Sequence, residues 1–194
     1  MTLRSIALCF ARSYVAGTED GNIHKCSCSY NEQYLGESFC GHTGPVYQIQ
    51  WSPFASNLFL SASADWTMKL WQEDRDSAVL SFQSTNSGIA DVRWSPNNAT
   101  VFGCVTEDGR LQIWDMSVST LKPVLTQNLQ GQKLSCLLFS KASPVVVCGS
   151  NTGEVGVYRL VGVGSQDHLS MEDVAKQKEK LEYCCKSSQK RANV

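Results

Sequence analysis

A repeat of about 44 residues constrains this chain more than any other feature, because self-similarity at a fixed period settles the architecture before single elements are assigned. Four turn segments align: Thr18-Glu19-Asp20-Gly21, Ser63-Ala64-Asp65-Trp66, Thr106-Glu107-Asp108-Gly109 and Ser150-Asn151-Thr152-Gly153. Their last residues are 45, 43 and 44 positions apart. A second register lies upstream, at Trp51-Ser52-Pro53, Trp94-Ser95-Pro96 and Phe139-Ser140-Lys141, spaced by 43 and 45 residues. Phe10 holds the corresponding place in the first unit. Two registers with a common period define four units, expected at about 5–40, 41–83, 84–128 and 129–160.

Within a unit the pattern is that of strands. Around Val46–Trp51 and Ile89–Trp94 the residues alternate with period two. A small-residue and apolar run follows each Trp-Ser-Pro turn, as at 59–63, 101–106 and 145–149. The Asp-Gly type turn then folds the chain back into a third apolar run, at 68–71, 111–114 and 155–158. A variable outer run, such as 78–82 or 123–126, completes the unit. Four short strands in about 44 residues is the signature of a propeller blade, so the fold class is all-β.

Gly41-His42, followed by Ser63-Ala64-Asp65-Trp66-Thr67-Met68-Lys69-Leu70-Trp71, resembles a WD40 repeat, with Gln72 where that family has a closing Asp. Ile113-Trp114-Asp115 supplies the WD dipeptide itself. The combination of Pro45-Val46-Tyr47, Trp51-Ser52-Pro53-Phe54, Asp65-Trp66-Thr67 and Val101-Phe102 with Thr106-Glu107-Asp108-Gly109 is similar to the propeller of dynein intermediate chains, and closer to the axonemal branch than to the cytoplasmic one. The resemblance implies a non-catalytic adaptor that holds a dynein heavy chain beside another intermediate chain, in the cytoplasm, on the cytoskeleton of the ciliary axoneme. On this resemblance the family's light-chain-binding N-terminal extension is expected to be absent from the sequence. The alternative is a generic WD40 interaction scaffold in another assembly, such as a substrate receptor.

WD repeats link a His, a turn Asp, a Ser or Thr and a Trp by hydrogen bonds, which satisfies polar groups that burial would otherwise leave unpaired. The second unit carries the whole set: His42, Ser61 or Ser63, Asp65 and Trp71. The third keeps Asp108 and Trp114 without the His, and the first keeps Asp20 with Cys26 in the Trp position. The fourth has Thr152 and Tyr158. His42 beside Asp65 could pass for a catalytic dyad, but no nucleophile falls at a matching turn and no Gly-rich phosphate loop or HExxH-type motif occurs. The carboxylate pairs Glu19-Asp20 and Glu107-Asp108 recur at the repeated turn, so structure explains them; no catalytic residue, cofactor or small-molecule substrate is expected. Trp66 departs from the pattern, since the other three units have Gly21, Gly109 and Gly153 there. Either its indole packs over the neighbouring blade, or it anchors a protein partner on the rim.

A net charge of −1 gives no reason to expect nucleic acid or an anionic membrane as partner, and no apolar run approaches the roughly 20 residues of a membrane span. Nine cysteines scattered through apolar runs read as reduced, buried thiols of a cytosolic protein; Cys26-Ser27-Cys28 lacks zinc spacing, and no metal site is expected. Asn98-Ala99-Thr100 matches a glycosylation acceptor by chance in that setting.

A closed propeller needs four to eight blades, and the last unit here has only three clear strands. The expectation is an incomplete propeller, a truncated form of a longer protein with open blade faces. After the glycine-rich stretch at 161–169, Ser170 is expected to cap a short helix over 171–184, with Asp173 completing a capping box. Its apolar stripe of Met171, Val174, Ala175 and Leu181 is thin, which predicts a solvated, fraying helix; docking on the propeller side or on a partner is the alternative. Cys184-Cys185 is read as incidental rather than redox-active.

Overall fold

Each repeat folds into one antiparallel meander, four-stranded in the first three repeats, as the alternation and tight turns require. The computed structural model describes residues 2–8, 13–28, 38–83, 85–129, 131–162 and 171–192. Blade 1 comprises β1 (Leu3–Leu8), β2 (Ser13–Thr18), β3 (Ile23–Ser27) and β4 (Ser38–Phe39). Blade 2 comprises β5 (Val46–Trp51), β6 (Leu58–Ser63), β7 (Met68–Gln72) and β8 (Leu80–Phe82). Blade 3 comprises β9 (Ile89–Trp94), β10 (Val101–Thr106), β11 (Arg110–Asp115) and β12 (Leu125–Asn128). Blade 4 has three strands among the described residues, β13 (Leu134–Phe139), β14 (Val145–Ser150) and β15 (Val155–Arg159). The first strands of successive blades are neighbours, β1 to β5 to β9 to β13, which makes them the inner edge of the arc. Phe10 and Ser170 lie outside the described residues.

Burial follows from stacking one sheet on the next. In β6 and β10 every residue is buried, because both faces meet a neighbouring blade. In β14, at the end of the arc, burial alternates with period two, and in β15 alternate residues are exposed. Each inner strand carries a register shift at the same place, after Leu3, Val46, Ile89 and Leu134, and such bulges strengthen the local twist.

Repeated aromatic contacts join the blades. Phe59 stacks on Trp71 with ring centroids 6.2 Å apart, and Phe102 stacks on Trp114 at 6.0 Å. The outer strand of each preceding blade adds an edge: Phe39 of β4 meets Trp71 at 5.8 Å, and Phe82 of β8 meets Trp114 at 5.4 Å. The Trp-Ser-Pro tryptophans reach backwards. Trp51 Nε1 donates to Ala7 O, and Trp94 Nε1 to the equivalent Gln50 O, both at 3.2 Å. Ser52 Oγ accepts the N–H groups of Phe54 and Ala55, which closes the turn.

The tail differs from its expectation. Helix α1 runs Met171–Ala192, well past Cys184, and it is docked rather than solvated. Leu181, Cys184 and Cys185 are buried in a cluster with Phe54, Leu58, Trp94 and Met116 from blades 2 and 3, while Ala175 of the expected stripe is exposed. Gln177 Oε1 also accepts the Ala99 N–H at 3.1 Å. Cysteine packs as a small hydrophobe, so Cys184 and Cys185 supplied the apolar width that the stripe lacked. The expectation of buried thiols also needs correction: Cys104, Cys148, Cys184 and Cys185 are buried, but Cys28, Cys40 and Cys136 are exposed. All eight described cysteines are free.

Candidate protein-interaction site

The second blade brings its predicted polar residues together. Trp71 Nε1 donates to Ser61 Oγ at 2.8 Å, and Ser61 Oγ lies 2.6 Å from His42 Nε2. His42 Nδ1 lies 2.9 Å from Asp65 Oδ2. Ser61 and Asp65 thus engage the two ring nitrogens of His42, one on each side, in a continuous chain from Trp71 to the turn carboxylate. Asp65 collects further donors, Thr43 N at 3.0 Å, Thr67 N at 3.0 Å and Thr67 Oγ1 at 2.7 Å. Burial alone would raise the Asp65 pKa, but the hydrogen bonds from His42 and Thr67 and the attraction of His42 hold it far below the usual carboxylate range. Ser63 has a separate task. Its Oγ donates to Gly44 O at 3.0 Å and accepts the Asp65 N–H at 3.2 Å, tying the hairpin to the strand entrance. The participation of Thr67 was not foreseen from the sequence, although its place two residues after Asp65 is where a turn carboxylate reaches back.

The third blade does not form this network, which corrects the expectation for Trp114. The register places Cys104 where blade 2 has Ser61, opposite Gln112 and two residues before Thr106. Trp114 Nε1 is buried without a hydrogen-bond acceptor. Burial pushes the Cys104 thiol up to about 12, and the Trp114 N–H facing its sulfur, a weak acceptor, offsets only part of that rise. Thr85, also buried, leaves its own Oγ1 unpaired. Asp108 turns outward instead, accepting from Thr106 Oγ1 and pairing with Arg110 at 3.0 Å. Asp20 of blade 1 is exposed. In blade 4 the turn is held by Ser150 and Thr152, whose hydroxyls are 2.6 Å apart.

The four β-hairpin turns project from one rim, and there Trp66 stands apart. It has φ 70°, and it is the one non-glycine residue with positive φ among those described. Gly21, Gly109 and Gly153 have φ 85°, 84° and 86° in the same turn. A Cβ on Gly21 would lie 2.5 Å from His42 O, and one on Gly109 2.3 Å from Gln132 O. Those two turns therefore demand glycine for space as well as conformation. Trp66 adopts the glycine-favoured backbone and is 45% exposed on that rim. Asp20, Glu107 and Asp108 are exposed on the same rim.

Among the described residues no three His, Cys, Asp or Glu side chains are grouped to hold a metal ion. A concavity of 680 Å³ between β4 and the turn after β7 is lined by Ser38, Phe39, Glu73, Asp74, Arg75, Asp76 and Ser77, and Ser38 Oγ lies 2.9 Å from His24 Nδ1. No helix of the described residues is long and apolar enough to cross a membrane.

Comparison with known proteins decides the family. The family model for the WD40 domain of dynein axonemal intermediate chain 3 matches residues 10–155. The chain belongs to the WD40 domain family of axonemal dynein intermediate chains. It is 49% identical over 139 residues to dynein axonemal intermediate chain 4 of Xenopus laevis, covering 71% of this chain and 18% of that one. The mouse protein of the same name, from Mus musculus, is 43% identical over 174 residues, covering 86% of this chain and 21% of its own length. A ciliary dynein intermediate chain 2 from Heliocidaris crassispina is 33% identical over 76% of this chain and 21% of its own length. The chain thus spans about a fifth of the length of these relatives. In fold it is similar to the computationally designed Ika4 protein, with a TM-score of 0.67 and 22% identity over 82% of this chain and 92% of that one.

Proposed function

We propose that this chain is a non-catalytic adaptor of an axonemal dynein, acting in the cilium axoneme and holding a dynein heavy chain, with a second intermediate chain as neighbour. Kinship with axonemal intermediate chains supports the setting. The observation that carries the contact is Trp66, a strained and exposed aromatic on the rim of hairpin turns. A left-handed non-glycine residue costs on the order of 1–3 kcal/mol and persists where the surroundings or a task maintain it. An indole set in a polar rim is the kind of anchor that dominates protein interfaces. The His42–Asp65 network has a structural role, holding the turn that presents Trp66. The experiment is a pull-down from ciliated cells analysed by mass spectrometry, with the unmutated chain and Trp66→Ala in parallel. Heavy chain recovered with the first and depleted with the second is the expected result. Equal recovery with both would remove Trp66 from the interface, and ubiquitin-ligase subunits in place of dynein subunits would favour a substrate receptor.

A further inference from the structure

Helix α1 fills a groove that is more apolar than the face it presents. The groove lies at the end of blades 2 and 3 opposite the hairpin turns. Phe54 and Ala55 come from the turn after β5 and Leu58 from the start of β6; Trp94 ends β9, and Met116 follows β11. The repeat does not require apolar residues at two of these places. Blade 3 has Asn97 in the position of Phe54, and blade 2 has Glu73 in the position of Met116. Two loops of neighbouring blades thus each carry a large apolar residue where the adjacent blade carries a polar one, and both are buried in the cluster that α1 completes.

Against Phe54, Leu58, Trp94 and Met116 the helix sets a smaller payload. Leu181 is fully buried and Val174 packs at the margin, and the rest of the buried cover is Cys184 and Cys185. A thiol buries less apolar surface than a leucine or phenylalanine side chain. The shortfall lies beside Cys185, where a concavity of 280 Å³ opens between the helix and blade 2, bordered by Asn57, Leu58, Gln72 and Arg75. Gln177 Oε1 fixes the register of the helix by accepting the Ala99 N–H.

We infer that this groove is a docking site for an amphipathic helix of a protein partner, and that α1 occupies it in cis as a displaceable cap. Helix-in-groove recognition uses apolar anchors at i, i+3 and i+4, which is the spacing of Leu181, Cys184 and Cys185. The partner helix repeats that spacing with leucine, methionine or phenylalanine in place of the two cysteines, and so fills the space beside Leu58. It needs the extra contact, because a tethered helix competes at a high effective concentration. The inference is independent of the heavy-chain reading, which rests on Trp66 at the opposite rim.

Peptide competition on the whole chain tests it. The probe is a fluorescent synthetic peptide of residues 171–192 carrying Cys184→Leu and Cys185→Leu. Its controls are the unsubstituted peptide and the same probe with Leu181→Asp added. In fluorescence anisotropy the probe should bind the chain at least tenfold more tightly than the unsubstituted peptide, and the Leu181→Asp control should not bind. Bound probe should expel α1, so maleimide labelling of the chain's own Cys184 and Cys185, read by mass spectrometry, should rise at least fivefold. Labelling of Cys104, fully buried in blade 3, should stay slow, which separates displacement from unfolding. The chain variant Leu181→Asp, whose own helix no longer competes, should bind the probe at least tenfold more tightly than the unmutated chain. A probe that binds without exposing Cys184 and Cys185 sits elsewhere, and a probe that binds neither form of the chain finds no groove; either result overturns the inference. So does equal affinity of the probe and the unsubstituted peptide, because the groove would then have no unused apolar capacity.

Discussion

Asp65 is the residue on which most of the turn chemistry converges. It accepts from His42, Thr43 and Thr67, so Asp65→Ala should leave buried donors unpaired and cost about 1–3 kcal/mol, read as a lower melting temperature. A mutant melt that overlays the unmutated one would show that the network adds nothing. Its folded pKa is depressed, so the charged form is the stabilised one. The contribution is therefore complete above the unfolded value of about 4 and fades as the pH falls through the folded value. The melting gap between the unmutated chain and Asp65→Asn should hold constant from pH 7 to 5 and begin to close only below about 4. A gap that closes already near pH 6 would assign the effect to another group. Trp66 behaves in the opposite sense. Its left-handed backbone favours glycine, so Trp66→Gly should stabilise the fold by roughly 1 kcal/mol while weakening heavy-chain binding by roughly 2 kcal/mol. If stability and affinity instead fall together, Trp66 is a packing residue. Sequence marked both residues, since one completed a motif and the other broke a repeat. It did not mark Trp114 as lacking blade 2's hydroxyl acceptor, because a Trp at the repeat position says nothing until Cys104 is seen in the place of Ser61.

At the scale of elements, strands were legible where two periodic signals coincided: alternation within a strand and recurrence every 44 or so residues. The tight turns were legible because Gly21 and Gly109 have no steric room for a Cβ. The docking of α1 was not, since its visible stripe was thin: Leu181 and Val174 do face the cluster, but Ala175 is exposed, and the added width comes from Cys184 and Cys185, which periodicity arguments count weakly. Burial pushes Cys185 up to about 12 and raises Cys184, which keeps both as thiols and makes them packing groups rather than nucleophiles. Leu181 is fully buried beneath the helix, so Leu181→Ala should open a cavity costing about 2–4 kcal/mol or release the helix outright. Lys180→Ala, one residue away and exposed, should change stability by less than about 0.5 kcal/mol. Limited proteolysis with thermal melts separates the cases. A helix cut as slowly in Leu181→Ala as in the unmutated chain would mean that α1 is held by something other than this contact.

For the whole molecule, the arc predicts a gradient of stability. Repeat proteins are close to one-dimensional, so a blade's stability depends on its own sheet and on its neighbours. Blades 2 and 3 have neighbours on both sides, and α1 lies against them; blade 4 has one neighbour and an unpaired edge strand. Backbone amides open locally where few apolar contacts would be lost, so hydrogen exchange should be slowest in β6 and β10. In dilute solution it should be fastest in β15, whose side chains alternate between exposed and half-buried. Exchange measured by mass spectrometry reads this gradient directly. Uniform protection along all four blades would mean that the arc unfolds as one unit and that its ends carry no special weakness.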